Sequence, residues 1–325
     1  MTKIEDLVDL LRNVDQDIRK RALLAIGRLT DIKEAIPVLI ELLKDVNEII
    51  RANAAYTLSR IGAHSVPYLI KVLKEGEKWN YIKPDSFIEI DNEDKEVLPE
   101  LIEILKEEYA NIRSGAAYAL GEIGHNAKSA VPSLINALKD THIQVRLNSI
   151  VALGKIGPFA KDSIDEMLYL IDDKNPNIRG SIAYALGEFG HEAKSAIPSL
   201  LRLVIDTHPI VREKSIYSIG KIRKYNEKTI LALLDSLSDK YGYARKYAVW
   251  SLGEICDNPD EISGHIAKML SDEKNYVREM AVYVLGNIGN KSVINMMTHM
   301  LTTETDIEFQ KNIASSIKKI NTRNN

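Results

Sequence analysis

Cysteine is nearly absent: Cys256 is the single one in 325 residues. That excludes an internal disulfide framework and the small secreted scaffolds such frameworks hold together, and it fits a reducing compartment. Long apolar runs are missing too, and none approaches the roughly 20 residues that span a bilayer. The opening stretch, MTKIEDLVDLLRN, lacks the apolar core of a secretory signal. Charge of one sign is not in excess. The net charge is −3, without the basic surplus that marks nucleic-acid or anionic-membrane binders. No GxGxxG, no P-loop and no CxxC pair occurs. Aromatic residues make up only 6% of a chain that is 45% hydrophobic, which is ample for a large buried surface. These absences predict a soluble cytoplasmic protein without a cofactor, a membrane or a nucleic-acid partner.

What is present is periodic. Arg113, Arg146, Arg179, Arg212, Arg245 and Arg278 follow at a constant step of 33, and Arg19 and Arg51 continue the series at 32. An acid stands six residues before most of these arginines: Asp45, Glu107, Asp140, Asp173, Asp206, Asp239 and Asp272. A glycine stands eight after, in Gly27, Gly121, Gly154, Gly187, Gly220, Gly253 and Gly286, with Ser59 the exception. Self-similarity at a few tens of residues is the mark of a repeat array.

Each unit reads as two helices. In the first, Ile178, Ile182, Leu186 and Phe189 share one face, and Gly190 ends it, as a residue that tolerates positive φ should. In the second, Pro198 suits a first turn that needs no backbone N–H. Leu200, Leu201, Val204 and Ile205 are expected to form its apolar face. One such hairpin cannot bury its own faces, whereas stacked copies bury a continuous core. The recurrent mid-helix glycine costs about 1 kcal/mol relative to alanine, and close approach of a neighbouring helix is the expected reason.

The pattern D-x5-R-x2-A-x3-L-G-x-I-G, followed by A-V/I-P-x-L-x2-L, resembles HEAT repeats, most nearly the HEAT-like subclass first named from phycobilisome lyases. The resemblance covers nearly the whole chain. It implies an all-α fold, an α-solenoid in which about ten helical hairpins form a right-handed superhelix over residues 1–325. It also implies a structural ladder in which Asp140, Asp173, Asp206, Asp239 and Asp272 engage Arg146, Arg179, Arg212, Arg245 and Arg278 and tie neighbouring repeats together. Two activities known in related repeat proteins come with it: a bilin lyase or chromophore-protein chaperone, and an iron-dependent hydroxylase of the deoxyhypusine hydroxylase type. The latter is built on several His-Glu pairs, and this chain has one, His191–Glu192.

In order, residues 1–13 read as an N-terminal capping helix, and regular units follow. Residues 76–96 break the pattern, but Pro67 and Pro99 are 32 apart, so this segment fills the slot of a first helix as a degenerate repeat. Residues 305–325 read as a C-terminal capping helix, about Ile307–Ile320, with a frayed polar tail.

The variable positions carry the functional reading. Outward positions on the second helices, one and four residues after the proline slot, line the concave face in HEAT arrays. Here they read Val38/Glu41, Tyr68/Lys71, Glu100/Glu103, Ser133/Asn136, Glu166/Tyr169, Ser199/Arg202, Ala232/Asp235, His265/Lys268 and Met296/His299. No charge sign runs through them, so a phosphate-tracking groove is not expected and a specific protein partner is. Tyr68, Lys71, Glu103, Asn136, Tyr169, Arg202, His265 and Lys268 are the expected contacts. Trp79, Tyr81 and Phe87 of the irregular segment form a second candidate surface. A further aromatic row, Tyr56, Tyr118, Tyr184, Tyr217, Trp250 and Tyr283, sits five residues after the arginines and reads as inter-repeat packing at the edge of the outer face. With no recurring catalytic set, the expected role is a non-catalytic binding scaffold.

Overall fold

The computed structural model describes residues 4–26, 33–60, 98–107, 110–223, 226–255 and 258–323, and among them regular structure is entirely helical. The chain falls into two compact units, Met1–Glu166 and Met167–Asn325. Each has α-solenoid architecture. In the first unit, Ile4–Leu11 packs on Gln16–Ile26, Gln16–Ile26 on Glu48–Arg60, and Ala110–Ile123 on Ile143–Ile156. The shorter helices Ile36–Leu42, Leu98–Ile104 and Val131–Ala137 each pack on the longer helix that follows. In the second unit, the long helices Pro176–Glu188, Pro209–Ile222, Gly242–Ile255, Asn275–Ile288 and Ile307–Arg323 stack in sequence order. Ile197–Leu203, Glu227–Ser236, Pro259–Lys268 and Ile294–Thr303 form the second layer.

The periodic residues behave as their spacing dictates. Ile178, Ile182, Leu186 and Phe189 are all buried. Gly190 has φ +58, and Gly124 and Gly157 also hold positive φ in the first unit. The expected apolar face of the second helix needs one correction. Ile205 is 82% exposed, because the helix stops at Leu203 and Val204 is already its C-cap, so Ile205 leaves the helical register. Val38, expected to point outward, is only 2% exposed and belongs to the core. The last helix also runs past the expected end at Ile320. It continues to Arg323, whose guanidinium donates to the backbone carbonyls of Gly286, Asn287 and Gly289. A cation there satisfies carbonyls that the end of Asn275–Ile288 leaves open.

The mid-helix glycines are seats for the next helix. A Cβ on Gly187 would lie 2.5 Å from the Ser218 Oγ and 2.9 Å from its Cα. Gly220 faces Ser251 and Gly286 faces Ser316 in the same way, and in the first unit Gly121 faces Ala152. The serines complete the contact by donating across the seam, Ser218 to the Ala183 carbonyl at 2.7 Å and Ser251 to the Ile216 carbonyl at 2.8 Å.

The ladder forms, but with a different pairing from the one the resemblance implied. Each arginine meets the acid six residues before it through that acid's backbone carbonyl. Nη1 of Arg146, Arg179, Arg212, Arg245 and Arg278 donates to the carbonyls of Asp140, Asp173, Asp206, Asp239 and Asp272 at 2.8–2.9 Å. The ion pair is made with the acid one repeat on: Arg113 with Asp140, Arg179 with Asp206, Arg212 with Asp239, Arg245 with Asp272. The physical reason is a local turn. Each aspartate already accepts the N–H two residues ahead, as Asp206 does from His208 at 2.8 Å, which turns its carboxylate away from its own arginine. The series survives the loss of arginine in the last helix, where Gln310 donates to the Glu304 carbonyl at 2.7 Å.

Candidate functional site

The second helices place their outward residues by simple helical geometry. Leu101 and Leu134 point into the first unit's core, so Glu100, Glu103 and Asn136 face out. In the second unit Leu200, Leu233 and Ile266 are buried, which turns Arg202, Asp235, His265 and Lys268 to solvent. Tyr169 is 83% exposed, far more than a ring of that size needs unless something covers it. Beside it in the second unit, Arg202 pairs with Asp172 at 2.9 Å, both largely exposed. Met296 and His299 extend the same exposed positions. All described residues at the fourth position after the proline slot, Glu41, Glu103, Asn136, Tyr169, Arg202, Asp235, Lys268 and His299, are exposed. They mix carboxylate, amide, phenol, guanidinium, amine and imidazole, a surface suited to recognition and not to one repeated chemistry. Tyr68, Lys71, Trp79, Tyr81 and Phe87 lie outside the described residues, as does Cys256.

The aromatic row is a packed element in the second unit. Tyr217 stacks on Tyr184 at 5.7 Å and on Trp250 at 5.2 Å, and meets Tyr247 edge-on at 5.3 Å. Its hydroxyl donates to Glu188 at 3.1 Å. Burial raises the Tyr217 pKa well above the ordinary tyrosine range, and the Glu188 carboxylate adds to the effect. Tyr56 and Tyr283, members of the same row, are left largely open.

Among the described residues the histidines do not converge. His191 and Glu192 are neighbours on an exposed turn, 3.4 Å apart. His142 and His208 stand at helix N-termini without a side-chain capping bond. Among the described residues no three His, Cys, Asp or Glu side chains gather in a way that could hold a metal ion. No described helix is long and apolar enough to cross a membrane.

One feature escapes the sequence. An open recess of about 680 Å³ lies between two turns of the second unit, lined among others by Ile205, Pro209, Arg212, Asp239 and Tyr241. The exposed Ile205 is its only sequence-level signal, hidden by the expectation that it is core. Its Arg212, Asp206 and Asp239 are already engaged in the ladder, and Lys240 is a further charged residue of its lining.

No curated protein matches the sequence. Among solved structures, an engineered protein aligns over 99% of both chains at 20% identity with a TM-score of 0.55. YibA of Escherichia coli aligns over 95% of this chain and 98% of its own at 20% identity, TM-score 0.56. Yeast importin-β, Kap95p, aligns over 98% of this chain and 52% of its own at 13% identity, TM-score 0.68, so this chain spans about half its length. At these identities the likeness concerns the fold alone. The sequence model of HEAT repeats matches residues 4–81, 98–168, 131–220, 164–253 and 230–318, and the chain belongs to the HEAT-repeat family.

Proposed function

We propose that the protein is a non-catalytic scaffold that holds a protein partner against the outward residues of its second helices. The observation that carries this reading is the contrast between two layers of one repeat. The long helices spend their arginines, glycines and aromatics on one another, while the second helices expose a different residue type at each step. Varied, mixed-charge surface with a bare tyrosine and an exposed arginine has the composition of interaction hot spots. In the first unit Glu103 and Asn136 are the proposed contacts, and in the second Tyr169, Arg202, His265 and Lys268. A solved structure of similar fold supports the general role, since it is described as a complex of Kap95 with Nup1.

Photo-crosslinking tests this. A p-benzoylphenylalanine placed at Tyr169, Asn136 or Lys268 should capture a defined partner in cells, whereas the same group at Tyr283 should not. Equal capture from both layers, or none from the second-helix positions, would sink the reading. The alternative of a bilin-lyase-like chaperone rests on the repeat subclass alone, because function lives in sites and not in folds. A visible absorption change on mixing with free bilin would favour it.

A further inference from the structure

Glu188, Lys221 and Glu254 occupy one position in three successive long helices, nine residues after Arg179, Arg212 and Arg245. Lys221 Nζ lies 3.8 Å from Glu188 Oε2, so it faces the preceding repeat. The following repeat is met by a different cation. Arg223 comes just after Ile222, holds φ 53, and pairs with Glu254. Glycine fills this place, eleven residues after the arginine, in Gly124, Gly157 and Gly190, each at positive φ. An L side chain stays in the left-handed region only where its surroundings compel it. A cation has therefore been set there against local backbone preference.

Three other contacts of the seam are interchangeable between repeats. Gly187 receives Ser218 as Gly220 receives Ser251. Arg179 binds Asp206 and Arg212 binds Asp239 with the same two-point geometry. Tyr184 stacks on Tyr217 as Tyr217 stacks on Trp250. If the middle hairpin were left out, Gly187 would still meet a serine, Arg179 an aspartate and Tyr184 an aromatic ring. Glu188, however, would meet Glu254.

We propose that Lys221 and Arg223 make this hairpin an ordering element: a cationic unit that fits between acidic neighbours and disfavours the register error in which the flanking repeats stack directly on each other. Arrays of near-equivalent units are open to such misassembly, and opposed like charges are a common means of raising the energy of the wrong pairing.

One substitution tests the idea by changing sign with context. Deleting residues 191–223 removes one period of 33 residues together with both cations. In the full chain, Glu254→Lys breaks the Arg223 pair and adds a third cation, and Tm should fall by about 1–2 °C. In the shortened chain the same change sets a lysine against Glu188, and Tm should rise by about the same amount. A shift in the same direction in both backgrounds overturns the proposal. Should the shortened chain not fold with either residue, the full-length Lys221→Glu/Arg223→Glu variant decides. Its refolding yield from urea should drop at least about twofold below that of Lys221→Ala/Arg223→Ala. Equal yields overturn the proposal.

Discussion

Arg212 holds Asp239 at two points, Nε to Oδ2 at 2.6 Å and Nη2 to Oδ1 at 2.8 Å, while its Nη1 donates to the Asp206 carbonyl at 2.9 Å. One guanidinium thus ties a helix to its own entry turn and to the entry turn of the next repeat. Both side chains are mostly buried, where removing one partner leaves the other without compensation. Asp239→Ala should destabilise by roughly 2–3 kcal/mol, because it strands Arg212 and frees the Tyr241 N–H that Asp239 accepts. Arg212→Lys should cost about 1–2 kcal/mol, since an ammonium cannot make the two-point contact. Urea denaturation checks both, and the double variant Arg212→Ala/Asp239→Ala should cost less than the sum of its singles.

The same rungs predict acid sensitivity. Burial acts to raise the carboxyl pKa values of Asp140, Asp206, Asp239 and Asp272, but the paired arginines and the accepted backbone N–H groups outweigh it and hold all four below the ordinary 3.8. A carboxylate whose folded pKa is depressed binds protons more readily when unfolded. Its contribution is complete above the unfolded value and disappears as pH falls through the folded one. Stability should therefore be flat in this respect above about pH 5 and decline below about pH 4. In Asp239→Asn the decline should be shallower, measured as urea midpoint against pH. An equally steep acid limb in that variant would show that the rungs are not its source.

The glycine seats give a steric prediction. Ala at position 187 would bring a methyl group within 2.9 Å of the Ser218 backbone, and overpacking of this kind costs about 1–3 kcal/mol. Alanine's better helix propensity returns at most about 1 kcal/mol, so Gly187→Ala should destabilise. Adding Ser218→Gly should recover part of the loss by opening the seat. Thermal unfolding of the two variants side by side makes the comparison.

The repeat, its helices and the purpose of its glycines were legible because each is written many times at one spacing. The ladder pairing was not, because spacing identifies which residues matter and not which copy of a partner each one meets. Arg212 is six residues from Asp206 in sequence, yet its carboxylate partner is Asp239, one repeat on. The Asp206 carboxylate is filled by the His208 N–H and by Arg179 of the preceding repeat, an arrangement that no periodicity records. Helix ends were the other gap. Whether Ile205 is core or surface turns on a helix that stops two residues earlier, and apolar character alone placed it on the wrong side. Of the candidate contacts, exposure of Glu103, Asn136, Tyr169, Arg202, His265 and Lys268 agrees with helical phase. What they bind is a property of the partner's surface and is not encoded in phase.

Arg223 offers a prediction in which two small effects oppose each other. Its left-handed backbone, φ 53, costs an L residue about 1–2 kcal/mol relative to glycine. Its ion pair with Glu254 is largely solvent-exposed on the arginine side, and exposed pairs contribute about 0–1 kcal/mol. Arg223→Gly removes both terms and should leave stability within about 1 kcal/mol of the parent, on the stable side if the backbone cost is the larger. Arg223→Ala keeps the backbone cost and loses the pair, so it should be less stable than Arg223→Gly by about 1 kcal/mol. Urea midpoints of the two variants separate these terms. Equal midpoints would mean that the turn relaxes once the side chain is gone, and that the Glu254 contact is what holds this residue in the left-handed region.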